Sequence, residues 1–221
     1  MQILTEFQEK LLKEVSLSPL RDSFFLTGGT ALSAFYLKHR YSEDLDFFTA
    51  LPGEVRRIIP VFKEIVEKLS ASIEIRRSFA TFTEGVVVSK EGEIVIVHFA
   101  EDTPYRLKPT VFNEEYKIYV DNLIDIACNK FSALFDRHEM KDFVDIYFID
   151  KEVMKFEEVY SQAKIKHIGM DDYWLCQALR YINELTVLPK MIKKVDLKEL
   201  RDFFNQKIRE IMLQIERGGT G

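Results

Sequence analysis

The chain has 221 residues, with 31 Lys and Arg against 36 Asp and Glu for a formal net charge of −5. Hydrophobic residues make up 47% of it and include 18 Phe, enough for a sizeable core, which excludes disorder, a collagen-like fibre and a disulfide scaffold. The mild acidity argues against a protein that coats nucleic acid non-specifically, and Cys128 and Cys176, far apart and in no CxxC spacing, read as two reduced core thiols of a cytoplasmic protein.

The opening stretch has an acidic residue by position 6 and no apolar segment, so no secretory leader is expected. No run approaches the ~18–20 apolar residues of a membrane span. Residues 2–15 place Ile3, Leu4, Phe7, Leu11, Leu12 and Val15 at helical spacing, and Ser16 to Pro19 break that helix. Residues 23–27 (SFFLT) predict a buried strand running into the turn at Gly28 and Gly29. A helix is expected over 30–39, with Thr30 as its N-cap. Leu45, Phe47 and Phe48 with Asp44 and Asp46 between them read as a second strand.

Residues 55–70 have helical periodicity, and 72–77, 80–83 and 85–88 are rich in β-branched and aromatic residues. The run VVVSKEGEIVIVHF has two β-rich arms around a charged turn, the pattern of a hairpin. Residues 100–115 read as loop and 116–120 as a short strand. Beyond 121 only helices are expected, over 121–137, 141–149, 152–162, 171–185 and 196–216, with the terminal RGGTG fraying. The reading is therefore α+β over residues 1–120, then a helical lobe over 121–221.

Three local patterns carry chemistry. Two glycines between a strand and a helix let an anion approach bare backbone at a helix N-terminus, although a plain tight turn explains such a pair as well. Asp44 and Asp46 lie two apart on a strand, so both carboxylates emerge on one face, ~7 Å apart along the chain. They are either an exposed acidic strand end or a cation site, and Mg²⁺ takes one or two carboxylates together with substrate phosphates. Lys130 falls within the apolar stripe Leu123, Ala127, Phe131, Leu134. A lysine there either snorkels or meets an anion. Arg137 follows seven residues later on the same side. Asp142 and Asp145 share a helical face, which is either solvated or close to a metal centre.

The motifs GGTALS and R-x-S-E-D-L-D-F, followed by IDIACNKFSALFDRHEMKDFVDIYFI, resemble the AbiEii/AbiGii-type nucleotidyltransferases, a branch of the DNA polymerase β-like superfamily that includes toxins of toxin–antitoxin systems. The resemblance spans roughly residues 20–150. It implies a nucleotidyltransferase domain built on a small mixed sheet flanked by helices, with its cleft completed by the helical lobe. It implies that Gly28 and Gly29 cradle the phosphates of an NTP, that Asp44 and Asp46 are catalytic and bind Mg²⁺ (or Mn²⁺), and that Lys130 and Arg137 contact the triphosphate. Asp142 matches an acidic residue that activates the attacking hydroxyl. Thr30, Ser33, Arg40 and Ser42 match positions that shape the nucleotide pocket.

The acceptor implied is a hydroxyl: RNA or tRNA is one candidate, small-molecule and protein acceptors are others, and an antitoxin is the implied protein partner. Arg56-Arg57, Arg76-Arg77 and Lys190/Lys193/Lys194 are either an RNA path or ordinary surface charge. One departure stands out. The superfamily adds a third carboxylate on a neighbouring strand, and the position here is His98. The competing readings are therefore a nucleotide-binding module that has lost catalysis and a small-molecule nucleotidyltransferase of aminoglycoside-modifying type.

Overall fold

The computed structural model describes residues 3–102 and 105–218. The chain divides into two compact units. One takes the residues up to Tyr36 together with Tyr41–Leu123, and the other takes Leu37–Arg40 together with the chain from Ile124 onward.

The first unit opens with α1 (Glu6–Ser16), capped by a reciprocal pair in which the Thr5 hydroxyl accepts from Gln8 N and the Gln8 side chain accepts from Thr5 N. A short helix, α2 (Leu20–Ser23), leads into β1 (Phe25–Thr27). Then come α3 (Gly28–Ala31), a π-helical turn (Leu32–Leu37), β2 (Asp44–Thr49), a 3₁₀ turn (Val55–Arg57) and α4 (Ile58–Lys68). The remaining strands are β3 (Ser72–Ser78), β4 (Phe82–Val88), β5 (Ile94–Glu101), β6 (Val111–Asn113) and β7 (Ile118–Val120). All seven form one mixed sheet in the order β3-β4-β5-β2-β1-β7-β6. β2 runs parallel to β5 and antiparallel to β1, so it is central and flanked on both sides.

Period-two burial explains β2. Leu45, Phe47 and Thr49 are buried while Asp44, Asp46 and Phe48 are half-buried on the other face. Behind the sheet, Phe99 of β5 stacks on Phe47 at 5.3 Å and meets Phe24 and Phe62 edge-on. Such pairs add about 0.5–1.5 kcal/mol each beyond their area, and Phe62 brings α4 onto this layer.

The second unit is helical: α5 (Leu123–Arg137), α6 (Met140–Glu152), α7 (Phe156–Lys166), α8 (Asp172–Arg180) with a 3₁₀ turn (Tyr181–Asn183), and α9 (Leu197–Gly218). Its core includes Phe131 against Phe156 and Phe143 against Phe204. Cys128 and Cys176 are both buried, each with Sγ directed at a carbonyl oxygen.

The structure departs from the sequence reading in several places. Thr30 is not an N-cap, because the helix already starts at Gly28, with Thr27 in the cap position. The helix expected to 39 ends as a π-turn at Leu37, where Lys38 adopts φ 52°. The 100–115 stretch contains β6, and the Asn113 side chain accepts from Tyr116 N at 2.8 Å to turn it into β7. Residues 103–104 of that stretch lie outside the described residues, as do the last three of RGGTG. The helix expected over 171–185 gives way to 3₁₀ geometry after Arg180.

Residues 37–40 join the helical unit through a buried ionic cluster. Asp145 of α6 accepts from Arg40 Nε at 2.6 Å and Nη2 at 2.8 Å, faces His39 Nε2 at 2.7 Å, and pairs with Lys130 Nζ at 2.8 Å. The His39 carbonyl accepts from Ile192 N and Lys193 N. Burial alone would raise the Asp145 carboxyl, but Arg40, Lys130 and the His39 bond outweigh it and hold the group well below the usual carboxylate range. Burial lowers His39 below 6.5, so its ring is neutral and donates its Nε2 proton to Asp145, with Nδ1 buried without a partner among the described residues.

A carboxyl whose folded-state value is depressed contributes stability that is present above the unfolded value of 3.8 and is lost as pH falls through the folded value. Urea unfolding is therefore expected to show a midpoint that drops progressively below about pH 4. Asp145→Asn should remove most of that acid limb while destabilising the protein at pH 7 by about 3–5 kcal/mol, because it takes away the buried carboxylate charge that Arg40 grips at two nitrogens and Lys130 shares.

Candidate active site

The acidic face of the first unit is assembled by strand register. Residues that pair across neighbouring strands share a face, and one such row runs Thr27 of β1, Asp46 of β2, His98 of β5, Glu84 of β4 and Arg77 of β3. The His98 Nδ1 lies 2.8 Å from Asp46 Oδ1, and its Nε2 lies 3.6 Å from Glu84 Oε2. Burial works against a charged imidazole here, but the Asp46 hydrogen bond and the fields of Asp46, Asp44 and Glu84 together raise His98 above 6.5. Asp44, two residues from Asp46, emerges on the same face.

The glycine turn is built around Asp46. Gly28 sits at φ +71°, and a Cβ placed there would come within 2.0 Å of Asp46 Oδ2. Only glycine gives both the left-handed backbone and the room for that carboxylate. Gly29 and Thr30 are buried just beyond. The Thr30 hydroxyl donates to the Asp44 carbonyl oxygen, which ties the turn to the strand that carries both aspartates. The carbonyls of Ser42 and Glu43, at the entry to β2, accept from the Gln8 side chain at 3.0 and 3.2 Å. Ser33 lies in the π-turn, its hydroxyl buried with no hydrogen-bond partner among the described residues. π-Turns recur at functional sites.

Asp121, which sequence reasoning missed, anchors the base of this turn. Its carboxylate accepts from the Thr27 hydroxyl at 2.8 Å and from Arg106, and its carbonyl accepts from Tyr36 OH at 2.6 Å. Glu84 and Asp145 were likewise missed as partners. Glu84 lies in a β-rich run where only strand pairing reveals that it neighbours His98. Asp145 had a faint signal in its i,i+3 spacing from Asp142.

The helical unit holds the other candidate residues. Lys130 of α5 is buried, with Nζ 3.2 Å from Asp142 Oδ1 and 2.8 Å from Asp145 Oδ2. Burial pulls its ammonium down, but Asp145 and Asp142 outweigh this and leave it raised. Arg137 grips Asp142 with Nε at 2.8 Å and Nη2 at 2.9 Å, yet its side chain stays 41% exposed. Asp142 is fully buried between these two cations. Lys130 therefore meets anions supplied by the protein itself, and Arg137 carries the cluster to the surface.

The acidic face suits a hard divalent cation. Asp44 and Asp46 offer carboxylate oxygens from a rigid strand, the donor type Mg²⁺ and Mn²⁺ prefer. Among the described residues no group of three or more His, Cys, Asp and Glu forms a self-sufficient metal cage. Among the described residues no helix is long and apolar enough to cross a membrane.

Residues 10–217 match the family model described as nucleotidyl transferase AbiEii toxin of type IV toxin–antitoxin systems. An uncharacterized protein of Aquifex aeolicus (strain VF5) is 30% identical over 210 residues, covering 94% of this chain and 96% of that protein. Among solved structures, a candidate nucleotidyltransferase from H. pylori is similar with a TM-score of 0.62 at 18% identity, over 97% of this chain and 98% of that one. MenT4, the nucleotidyltransferase toxin Rv2826c from Mycobacterium tuberculosis H37Rv, is similar with a TM-score of 0.55 at 14% identity, over 93% and 82%. At those identities the solved structures bear on the fold alone, and they agree with an α+β nucleotidyltransferase-like architecture. The match along nearly the whole chain places this protein in the AbiEii nucleotidyltransferase toxin family.

Proposed function

We propose that the chain is a metal-dependent nucleotidyltransferase that moves an NMP from an NTP to an acceptor hydroxyl. The observation that carries this reading is the close approach of the Asp46 carboxylate to the Gly28 backbone, with Asp44 on the same face. A cation-binding group and a bare-backbone turn within contact distance are what a magnesium nucleotide requires.

In the transfer, the acceptor oxygen bonds to the α-phosphorus, the bond from that phosphorus to the α–β bridging oxygen breaks, pyrophosphate leaves with the bonding pair, and the acceptor's proton passes to solvent water. Asp44 and Asp46 would hold Mg²⁺ (or Mn²⁺), which when bound supplies Lewis-acid stabilisation of the phosphoryl oxygens. The rest of the work belongs to the chain. Gly28 and Gly29 present backbone without side-chain bulk. Thr30 fixes that turn to the Asp44 carbonyl, and Asp121 fixes it through Thr27.

The roles of the helical residues follow from their exposure. Arg137, exposed and pre-oriented by Asp142, is the better phosphate contact. Lys130, 6% exposed and shared by two carboxylates, orders those carboxylates. Asp142 is committed to two cations, which makes it an orienting group rather than the proton acceptor. The acceptor we favour is RNA or tRNA, supported by Arg76 and Arg77, which are exposed on β3, Arg77 at the outer end of the acidic row. Membership of a type IV toxin family supports an antitoxin as the cellular counterpart.

The test is to incubate the protein with each labelled NTP, Mg²⁺ or Mn²⁺ and total RNA, and to follow label transfer together with pyrophosphate. Asp46→Asn should reduce both to background while its circular dichroism and melting remain those of the wild type. Undiminished transfer by that variant would remove the proposal.

The two cations should separate kinetically. Arg137→Gln is expected to raise the KM for NTP about 10-fold, the equivalent of one charge-assisted hydrogen bond. Lys130→Met is expected to lower stability by about 3–5 kcal/mol, because two buried carboxylates lose a shared counter-ion. The reverse pattern in steady-state kinetics and urea unfolding would exchange the two assignments.

A further inference from the structure

Within the polymerase β-like arrangement, the strand beside the paired aspartates is expected to carry a third carboxylate, and here His98 stands in register with Asp46. A carboxylate is nevertheless present one strand further out. Glu84 of β4 is the register partner of His98. It is partly buried, and it lies 3.6 Å from the ring nitrogen that does not face Asp46. Phe82, two residues earlier and on the same face, packs its ring against the imidazole at 5.7 Å. His98 thus has a hydrogen-bonded carboxylate at Nδ1, a second carboxylate within ion-pair distance of Nε2 and an aromatic ring at its side.

Asp46 is constrained at both oxygens as a result. Oδ1 meets His98 Nδ1 at 2.8 Å, and Oδ2 lies where a Gly28 side chain would otherwise be. Groups behind a metal ligand set its orientation and basicity, and their loss typically lowers metal affinity 10–100-fold. We propose, resting on the nucleotidyl-transfer reading above, that Glu84 and His98 are positioning residues for the metal ligand Asp46. They form a carboxylate–imidazole–carboxylate chain across three strands in which Glu84 acts only through His98. On this row the carboxylate one strand beyond His98 orients a ligand instead of serving as one.

The experiment is a Mn²⁺ titration of the full chain, followed by calorimetry and by the spin-resonance signal of free Mn²⁺. The set is wild type, Asp46→Asn, Glu84→Gln, His98→Asn, the Glu84→Gln/His98→Asn double variant and Glu74→Gln. Glu74 is an exposed carboxylate on β3, in the register row of Asp44 rather than Asp46, and it controls for bulk charge. Glu84→Gln and His98→Asn should each weaken Mn²⁺ binding about 10-fold, and Glu74→Gln should not. In the His98→Asn background, adding Glu84→Gln should change affinity by less than about 2-fold.

Unchanged affinity in Glu84→Gln, or an equal loss in the His98→Asn background, overturns the inference; the second result would make Glu84 a direct ligand. If wild type shows no saturable Mn²⁺ binding, or Asp46→Asn binds as well as wild type, the metal-dependent reading itself falls and takes this inference with it. Loss of binding in Asp46→Asn beside a silent Glu84→Gln leaves that reading standing and removes the positioning role alone. Matching melting curves identify any variant whose fold has changed.

Discussion

A missing side chain organises the acidic face. Because position 28 is glycine, the backbone can enter the left-handed region directly after β1, and the Asp46 carboxylate can lie against it. Any Cβ there would displace a charged group held by His98 on its other oxygen. The neighbouring contacts reinforce the same junction: Thr27 is bonded to buried Asp121, and Thr30 to the carbonyl of Asp44. Close approach is thus concentrated at the junction of β1 and the helix that follows it, and the surrounding bonds over-determine its geometry.

The helical unit handles charge differently. Asp142 and Asp145 are fully buried, which is tolerable only because three cations and a histidine converge on them. Replacing such clusters with apolar groups is often neutral or stabilising, so net stability does not account for their presence. Orientation does. Arg40 is gripped at two nitrogens, Lys130 is shared between two carboxylates, and Arg137 is bonded through Nε and Nη2 while keeping exposed surface. A guanidinium already fixed by a carboxylate loses less freedom when it meets a phosphate.

How much of this could be read in the sequence depended on range. The alternation of Asp44, Leu45, Asp46 and Phe47 dictated one polar and one buried face, and β2 has both. The helical periodicity beyond residue 121 and the hairpin around Gly92 were equally legible. What escaped depended on partners distant in the chain. Lys130 in an apolar stripe signals an anion without naming Asp142 and Asp145. Glu84 becomes interesting only once β4 and β5 pair in a register that sets it beside His98. The π-turn over 32–37 was read as ordinary helix because the two share one hydrophobic pattern. β6 was read as loop because three half-exposed or exposed residues give no alternation to detect.

The two units carry opposite local charge, and each balance can be drawn up separately. On the sheet face, Asp44, Asp46 and Glu84 stand against His98, with Arg77 at the outer edge, so the centre of the row keeps an excess of negative charge. In the helical cluster, Arg40, Lys130 and Arg137 exceed Asp142 and Asp145 by one charge, the adjacent Lys141 and Glu139 cancel, and His39 is neutral. An acidic surface of that kind attracts a divalent cation, and a cationic cluster that surfaces at Arg137 attracts phosphate oxygens. Neither preference derives from the net charge of −5. Both come from which ions each unit sets beside one another.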